Sequence, residues 1–172
     1  MRPCAQTCIG PPGLAASGSQ IRWLMPPAEA ISALRACSPA RCFVQQARAG
    51  EVTVTGSGSR FTNSDNLVVG YEGAGSLSIS EGGAVSNTYG WIGDATTSTG
   101  TANVDGDGST WTNSQDLVVG NSGTGTLNIT DGAVVSDNAA YVGNNADGSG
   151  TVTVNGTGSR WDHSSVFSVG YN

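Results

Sequence analysis

Asn63-Ser64-Asp65-Asn66-Leu67-Val68-Val69-Gly70 returns as Asn113-Ser114-Gln115-Asp116-Leu117-Val118-Val119-Gly120, and in looser form as His163-Ser164-Ser165-Val166-Phe167-Ser168-Val169-Gly170. The spacing is 50 residues each time. Laying residues 52–101 without gaps on residues 102–151 gives 21 identities in 50 positions, among them Gly56/Gly106, Leu77/Leu127 and Gly93/Gly143. A fixed period of this length marks a repeat architecture, so fold and function are both read from the repeat.

Each 50-residue unit is itself double. Val54, Ile79, Val104, Ile129 and Val154 follow one another at intervals of 25, whereas the glycines at 70, 93, 120, 143 and 170 alternate between gaps of 23 and 27. The even half is two residues shorter before its glycine, and the loop after it is two residues longer, as in 94–100 and 144–150. Val52-Thr53-Val54-Thr55 and Leu77-Ser78-Ile79-Ser80 alternate apolar and polar, the period of a strand with one buried face. Glycines at 56 and 58 supply a turn, residues 59–62 a second short extended piece, and Asn63-Ser64-Asp65 a corner in which short polar side chains bond their own backbone. The expected fold is all-β: a parallel β-solenoid, a right-handed β-helix of about five coils of ~25 residues. Val52, Leu77, Ala102, Leu127 and Val152 make one inward file, and Val69, Ile92, Val119, Val142 and Val169 another. Stacked at about 4.8 Å per coil they build a rod roughly 24 Å long.

Composition agrees with this reading. Charged residues are 12% of the chain, about half the usual quarter, and there are 26 glycines and no lysine. Residues 50–172 carry Arg60 and Arg160 against twelve acids, a net charge of −10. Such a surface repels nucleic acid and anionic lipid, so no nucleic-acid partner is expected. Residues 1–50 differ: they are rich in Arg, Ala and Pro and hold all four cysteines, Cys4, Cys8, Cys37 and Cys42. This segment reads as a leader, poorly structured or partly helical, with Ala28–Ala36 its best short helix by propensity. It has neither the continuous apolar core of a secretory signal nor a membrane span. The domain division is therefore 1–50 leader and 51–172 repeats, in units 52–101, 102–151 and a partial 152–172. The last coil breaks off before its following Gly-x-Leu-x-Ile, so the sequence is read as a fragment of a longer repeat protein.

The repeat Val152-Thr153-Val154-Asn155-Gly156-Thr157-Gly158-Ser159-Arg160-Trp161, with Leu117-Val118-Val119-Gly120 and Gly125-Thr126-Leu127-Asn128-Ile129-Thr130-Asp131-Gly132-Ala133, resembles the passenger repeat of bacterial autotransporters of type V secretion. The same repeat type occurs in proteins with a PEP-CTERM sorting tail. The resemblance covers residues 52–172. It implies a surface-exposed or secreted β-helical passenger or stalk, adhesive or structural, with a C-terminal membrane barrel in the full-length protein and localisation at the cell surface, in the outer membrane or outside the cell. It carries no catalytic residue, cofactor or metal to this chain. The expected partner is a glycan or protein on a host or neighbouring cell.

Other chemistries are weaker. Asp162-His163-Ser164 holds the letters of a hydrolase triad, but neighbours along a strand point to opposite faces. A glycan-binding or polysaccharide-degrading β-helix protein is the alternative function, and Asp105, Asp107 and Asp131 are the best acidic group for catalysis, with no lysine beside them. Asp105-Gly106-Asp107-Gly108 suggests calcium, yet nothing repeats at the nine residues of a calcium roll, and Ser57 and Thr157 replace Asp107. The Thr-x-Thr pair of an ice-binding ladder is interrupted at Ser78/Ser80 and Asn103/Asp105. Phe61, Trp111 and Trp161 sit two coils apart and read as corner packing. Trp91 and Tyr141 replace the outward Val68 and Val118, and the long loops contribute Asp94, Asn144 and Asn145; these five residues are the expected contact surface.

Because residues 51–172 contain no cysteine, 5 mM dithiothreitol is expected to leave the main melting transition of the chain unmoved in circular dichroism, whereas a disulfide-dependent fold would lose several degrees.

Overall fold

The computed structural model describes residues 49–170 together with the two-residue strand Cys42–Phe43. The helix expected at Ala28–Ala36 lies outside the described residues. Alternating side chains and glycine corners wind the described chain into stacked coils of three short strands, with no helix. The first sheet holds the long strands β2 (Gly50–Thr55), β5 (Ala74–Ser80), β8 (Thr99–Asp105), β11 (Thr124–Thr130) and β14 (Ser149–Asn155). The second holds β3 (Arg60–Thr62), β6 (Ala84–Asn87), β9 (Thr110–Asn113), β12 (Val134–Asp137) and β15 (Arg160–His163). The third runs β1 (Cys42–Phe43), β4 (Leu67–Val69), β7 (Gly90–Ile92), β10 (Leu117–Val119), β13 (Ala140–Val142) and β16 (Phe167–Val169). Every pairing is parallel, between one coil and the next, so the chain is a β-solenoid of five coils. Strand β1 lies within the stretch read as leader: it pairs Cys42 with Leu67 and Phe43 with Val68, extending the third sheet by one rung.

The expected files are in register. Val52, Leu77, Ala102, Leu127 and Val152 pair in sequence, as do Val54, Ile79, Val104, Ile129 and Val154. Leu77, Ala102, Leu127, Ile79, Val104 and Ile129 are fully buried, and the core is one continuous cluster through the coils. Phe61, Val85, Trp111, Val135 and Trp161 form the matching file of the second sheet. The structure thus keeps Trp111 two rungs from Phe61 and from Trp161, with a valine between, and buries it completely.

Odd and even coils differ at each corner. From Val104 to Trp111 is seven residues, from Ile129 to Val135 six; from Trp111 to Leu117 is six, from Val135 to Ala140 five. The even coil therefore drops one residue at each of the first two corners and regains two at the third. Its tighter first corner carries two successive residues of positive φ, Glu81 (54°) with Gly82 (82°) and Asp131 (51°) with Gly132 (92°). The turn closes with Gly83 N–H donating to Ser80 O at 3.0 Å and Ala133 N–H donating to Thr130 O at 3.1 Å. Where the even coil is short its inward residue is small. A methyl on Gly90 would come within 2.4 Å of Asn113 Oδ1 and 2.6 Å of Leu117 Cδ1.

The third corner is closed by backbone. Gly75, Gly100, Gly125 and Gly150 form a file at the start of the long strands. A Cβ on Gly100 would stand 2.1 Å from Val69 O, and one on Gly125 would stand 2.3 Å from Gly120 N and 2.4 Å from Ile92 O. Neither contact can be relieved by turning a side chain. Gly158 is the contrast: it has φ +84°, and its nearest neighbour would lie 3.5 Å away. Gly158→Ala is expected to cost about 1–2 kcal/mol, the strain of a left-handed alanine. Gly125→Ala should cost more than about 3 kcal/mol, because backbone on two sides must move. Urea denaturation of the two variants checks the order.

Candidate functional site

Strand alternation places Val68, Trp91, Val118, Tyr141 and Ser168 in one outward column of the third sheet. Trp91 and Tyr141 are half-buried. Alternation alone makes Val68 and Val118 exposed, yet they are 1% and 6% accessible. Val118 sits between the two rings, one rung from each, and a β-branched side chain is too short to emerge between them. Trp91 Nε1 is enclosed and has no acceptor. Tyr89, which precedes β7, is exposed at 36%.

Three residues beyond this column the chain turns through the third corner. The backbone there stacks as the strands do: Asp94 N–H donates to Gly70 O, Asn121 N–H to Gly93 O and Asn144 N–H to Gly120 O, each at 2.9 Å. Side chains follow with the same spacing. Asn121 Nδ2 donates to Asp94 Oδ1 at 2.8 Å, Asn144 Nδ2 to Asn121 Oδ1 at 2.9 Å, and Asn145 Nδ2 to Ser122 Oγ at 2.9 Å. Asp94, Asn144 and Asn145 are thus joined in one amide ladder beside Trp91 and Tyr141. Asn121, the rung that joins them, is not marked out by the sequence, because it lies on the short odd loop between the two long even ones.

A second polar ladder runs inside the rod. Asn63, Asn87, Asn113, Asp137 and His163 end the strands of the second sheet in a single column. The first four are buried. Asn63 behaves as its sequence suggests: Oδ1 accepts from Asp65 N–H at 3.3 Å, and Nδ2 donates to Asn66 O at 2.9 Å. Deeper in, Asn87 Nδ2 donates to Asn113 Oδ1 at 2.6 Å, while Trp111 Nε1 donates to Asn87 Oδ1 at 2.7 Å. Two coils later Trp161 Nε1 donates to Asp137 Oδ2 at 2.5 Å, so aspartate stands where the repeat elsewhere has an amide. Beyond it His163 Nδ1 lies 3.8 Å from Asp137 Oδ1. Asn113 Nδ2, Asp137 Oδ1 and His163 Nδ1 are enclosed without hydrogen-bond partners, on three successive rungs. His163 is therefore more than a polar corner: it is stacked 4.9 Å from Phe167 and edge-on to Trp161 at 5.4 Å.

The other candidates separate. Asp105 Oδ1 accepts from Thr130 Oγ1 at 2.5 Å across the outer face of the first sheet. Asp131 forms the tight first corner of the fourth coil. Among the described residues no three His, Cys, Asp or Glu side chains converge on a possible metal position. Asp162 pairs with exposed Arg160 at 2.7 Å on the outside, whereas His163 faces inward, so Asp162, His163 and Ser164 do not converge.

No protein-family description, curated protein or solved structure matches the chain.

Burial raises the Asp137 carboxyl to about 7, helped by the nearby Asp116 charge and opposed by the Trp161 hydrogen bond. Its folded pKa lies above the unfolded value of 3.8, so the stability linked to this group is full below pH ~4 and is lost as pH rises through about 7. Asp137→Asn continues the amide ladder and keeps an acceptor for Trp161. The variant is expected to match the wild type near pH 4 and to exceed it by on the order of a few kcal/mol at pH 8, at 1.36 kcal/mol per pKa unit. Urea denaturation at the two pH values measures the difference.

Proposed function

We propose that residues 49–170 are part of a β-helical stalk displayed at the cell surface or secreted, acting by contact and without catalysis, as the resemblance to autotransporter passenger repeats implies. The observation that supports this best is the side-chain bonding along the axis on the outside of the rod, which joins the coils in pairs. Ser80 Oγ donates to Thr55 Oγ1 at 3.0 Å, Asn128 Nδ2 to Asn103 Oδ1 at 2.8 Å and Ser86 Oγ to Thr62 Oγ1 at 3.3 Å. On these faces hydroxyls and amides tie the first coil to the second and the third to the fourth, and the Asn121–Asp94 bond of the third corner joins the second to the third. Such a body has no cysteine in its repeats and lengthens by addition of coil pairs. Those are the properties of a spacer that holds a binding face away from a membrane. The face best suited to that contact is the outer side of the third sheet with its third corner, where Trp91, Tyr141, Asp94, Asn144 and Asn145 lie together. Weak contacts repeated along a rod add through avidity.

Antibodies raised against residues 50–170 should label intact cells of the source organism, and external protease should abolish the signal. Labelling only after lysis would overturn the surface assignment.

A further inference from the structure

Outward aromatic side chains are confined to one side of the rod. Within residues 49–170 Phe61, Trp111, Trp161 and Phe167 belong to inward files, and the other four aromatics, Tyr71, Tyr89, Trp91 and Tyr141, lie on the third sheet or its flanking corners. The outer faces of the first and second sheets carry none. We infer that this side of the rod binds a neutral glycan, with Tyr89 and Trp91 as stacking platforms and the third-corner ladder as the polar edge. The inference rests on the contact-face reading above and adds the ligand class.

Three features select that class. The first is charge: Glu72, Asp94 and Asp116 border the face, whereas the described arginines, Arg60 and Arg160, begin strands of the second sheet and His163 points inward. An anionic polysaccharide, a nucleic acid or a phosphorylated surface would meet carboxylates with no counter-charge among the described residues. The second is hydrogen bonding. In the ladder Asn121 and Asn144 each direct one amide N–H to the preceding rung, and Asn145 directs its amide to both Asn121 and Ser122. Among the described residues nothing donates to the second carboxylate oxygen of Asp94 or to the Oδ1 atoms of Asn144 and Asn145. A row of free acceptors calls for a ligand rich in hydroxyl donors. The third is shape. Trp91 and Tyr141 are two rungs apart in one column of the parallel sheet, about 10 Å, with the acceptors Asp94 and Asn144 each three residues further along the chain. An extended sugar chain laid along the rod axis meets ring faces with its C–H surfaces and the acceptor row with its hydroxyls. A protein partner is the weaker fit, because protein contact centres favour arginine beside tryptophan and tyrosine, and this face has none.

The test is affinity electrophoresis of the full chain through gels containing a soluble mixed-linkage β-glucan, a galactomannan or a xylan, with alginate as the anionic control and immobilised collagen as the protein probe. At least one neutral polysaccharide is expected to retard the chain. Trp91→Ala should weaken that retardation at least tenfold, and Thr153→Ala, on the first sheet, should leave it unchanged. If Trp91→Ala alters the melting curve, Asn145→Ala, at an exposed loop position, is the second variant and should weaken binding severalfold. Retardation by none of the neutral polysaccharides overturns the inference, as does equal retardation by alginate or retention of full binding in both variants. Collagen capture that needs Trp91 without glycan binding would overturn the ligand class and keep the contact face. No Trp91-dependent capture of any probe would overturn both.

Discussion

One constraint governs the rest of the structure: each coil must return to the same register above the last, because its backbone bonds only to its neighbours along the axis. The pairing of Leu77 with Ala102, Leu127 and Val152 shows how strictly this holds. A slip of one residue would turn every inward file outward, so corner lengths must compensate one another within a coil pair. The even coil does this by giving up a residue at two corners and recovering both at the third. Side-chain volumes follow the corner lengths. Gly90 and Ala140 stand where the odd coils have Leu67 and Leu117, and Ala102 is the smallest member of its file in the coil that also encloses Trp111.

The polar interior is the cost of this geometry. At the end of each second-sheet strand the chain bends sharply, leaving backbone groups that a hydrocarbon side chain would strand. Asn63 meets that need with its own side chain, Asn87 and Asn113 bond one another, and the indole N–H groups of Trp111 and Trp161 find acceptors in the same column. A carboxylate in that column lacks the amide N–H that continues the ladder and gains a burial penalty on its charge. Asp137 is therefore where the protonation of one side chain bears on how firmly two coils hold together.

Much of this was legible in the residues. The 25-residue interval of Val54, Ile79, Val104, Ile129 and Val154 gave the rung spacing, and the alternating glycine gaps gave unequal coils, because both are direct images of backbone geometry. The separation of Trp111 from Trp161 by an intervening coil followed from the same count. What escaped was anything depending on a neighbouring rung. The buried amide column joins residues at offsets of 24 and 26, so no single period displays it, and Asn87 and Asp137 look like ordinary strand ends. Burial of Val118 depends on rings 27 residues before and 23 after it, and so does the bridging role of Asn121 on its two partners. The place of Trp91, Tyr141, Asp94, Asn144 and Asn145 on one side could be read from periodicity. Their connection could not.

The alternation of long and short corners also defines what the rod can exchange. A single coil is not interchangeable with its neighbour, since an odd coil set upon another odd coil would bring Leu67 against Leu117 where Gly90 now makes room, and would place two wide first corners on one another. A pair of coils, fifty residues with matched ends, can be removed or duplicated and leave every remaining junction as it was. Recombination between such repeats preserves the fold only in steps of two, so the lengths open to the rod in evolution are quantised at about 10 Å.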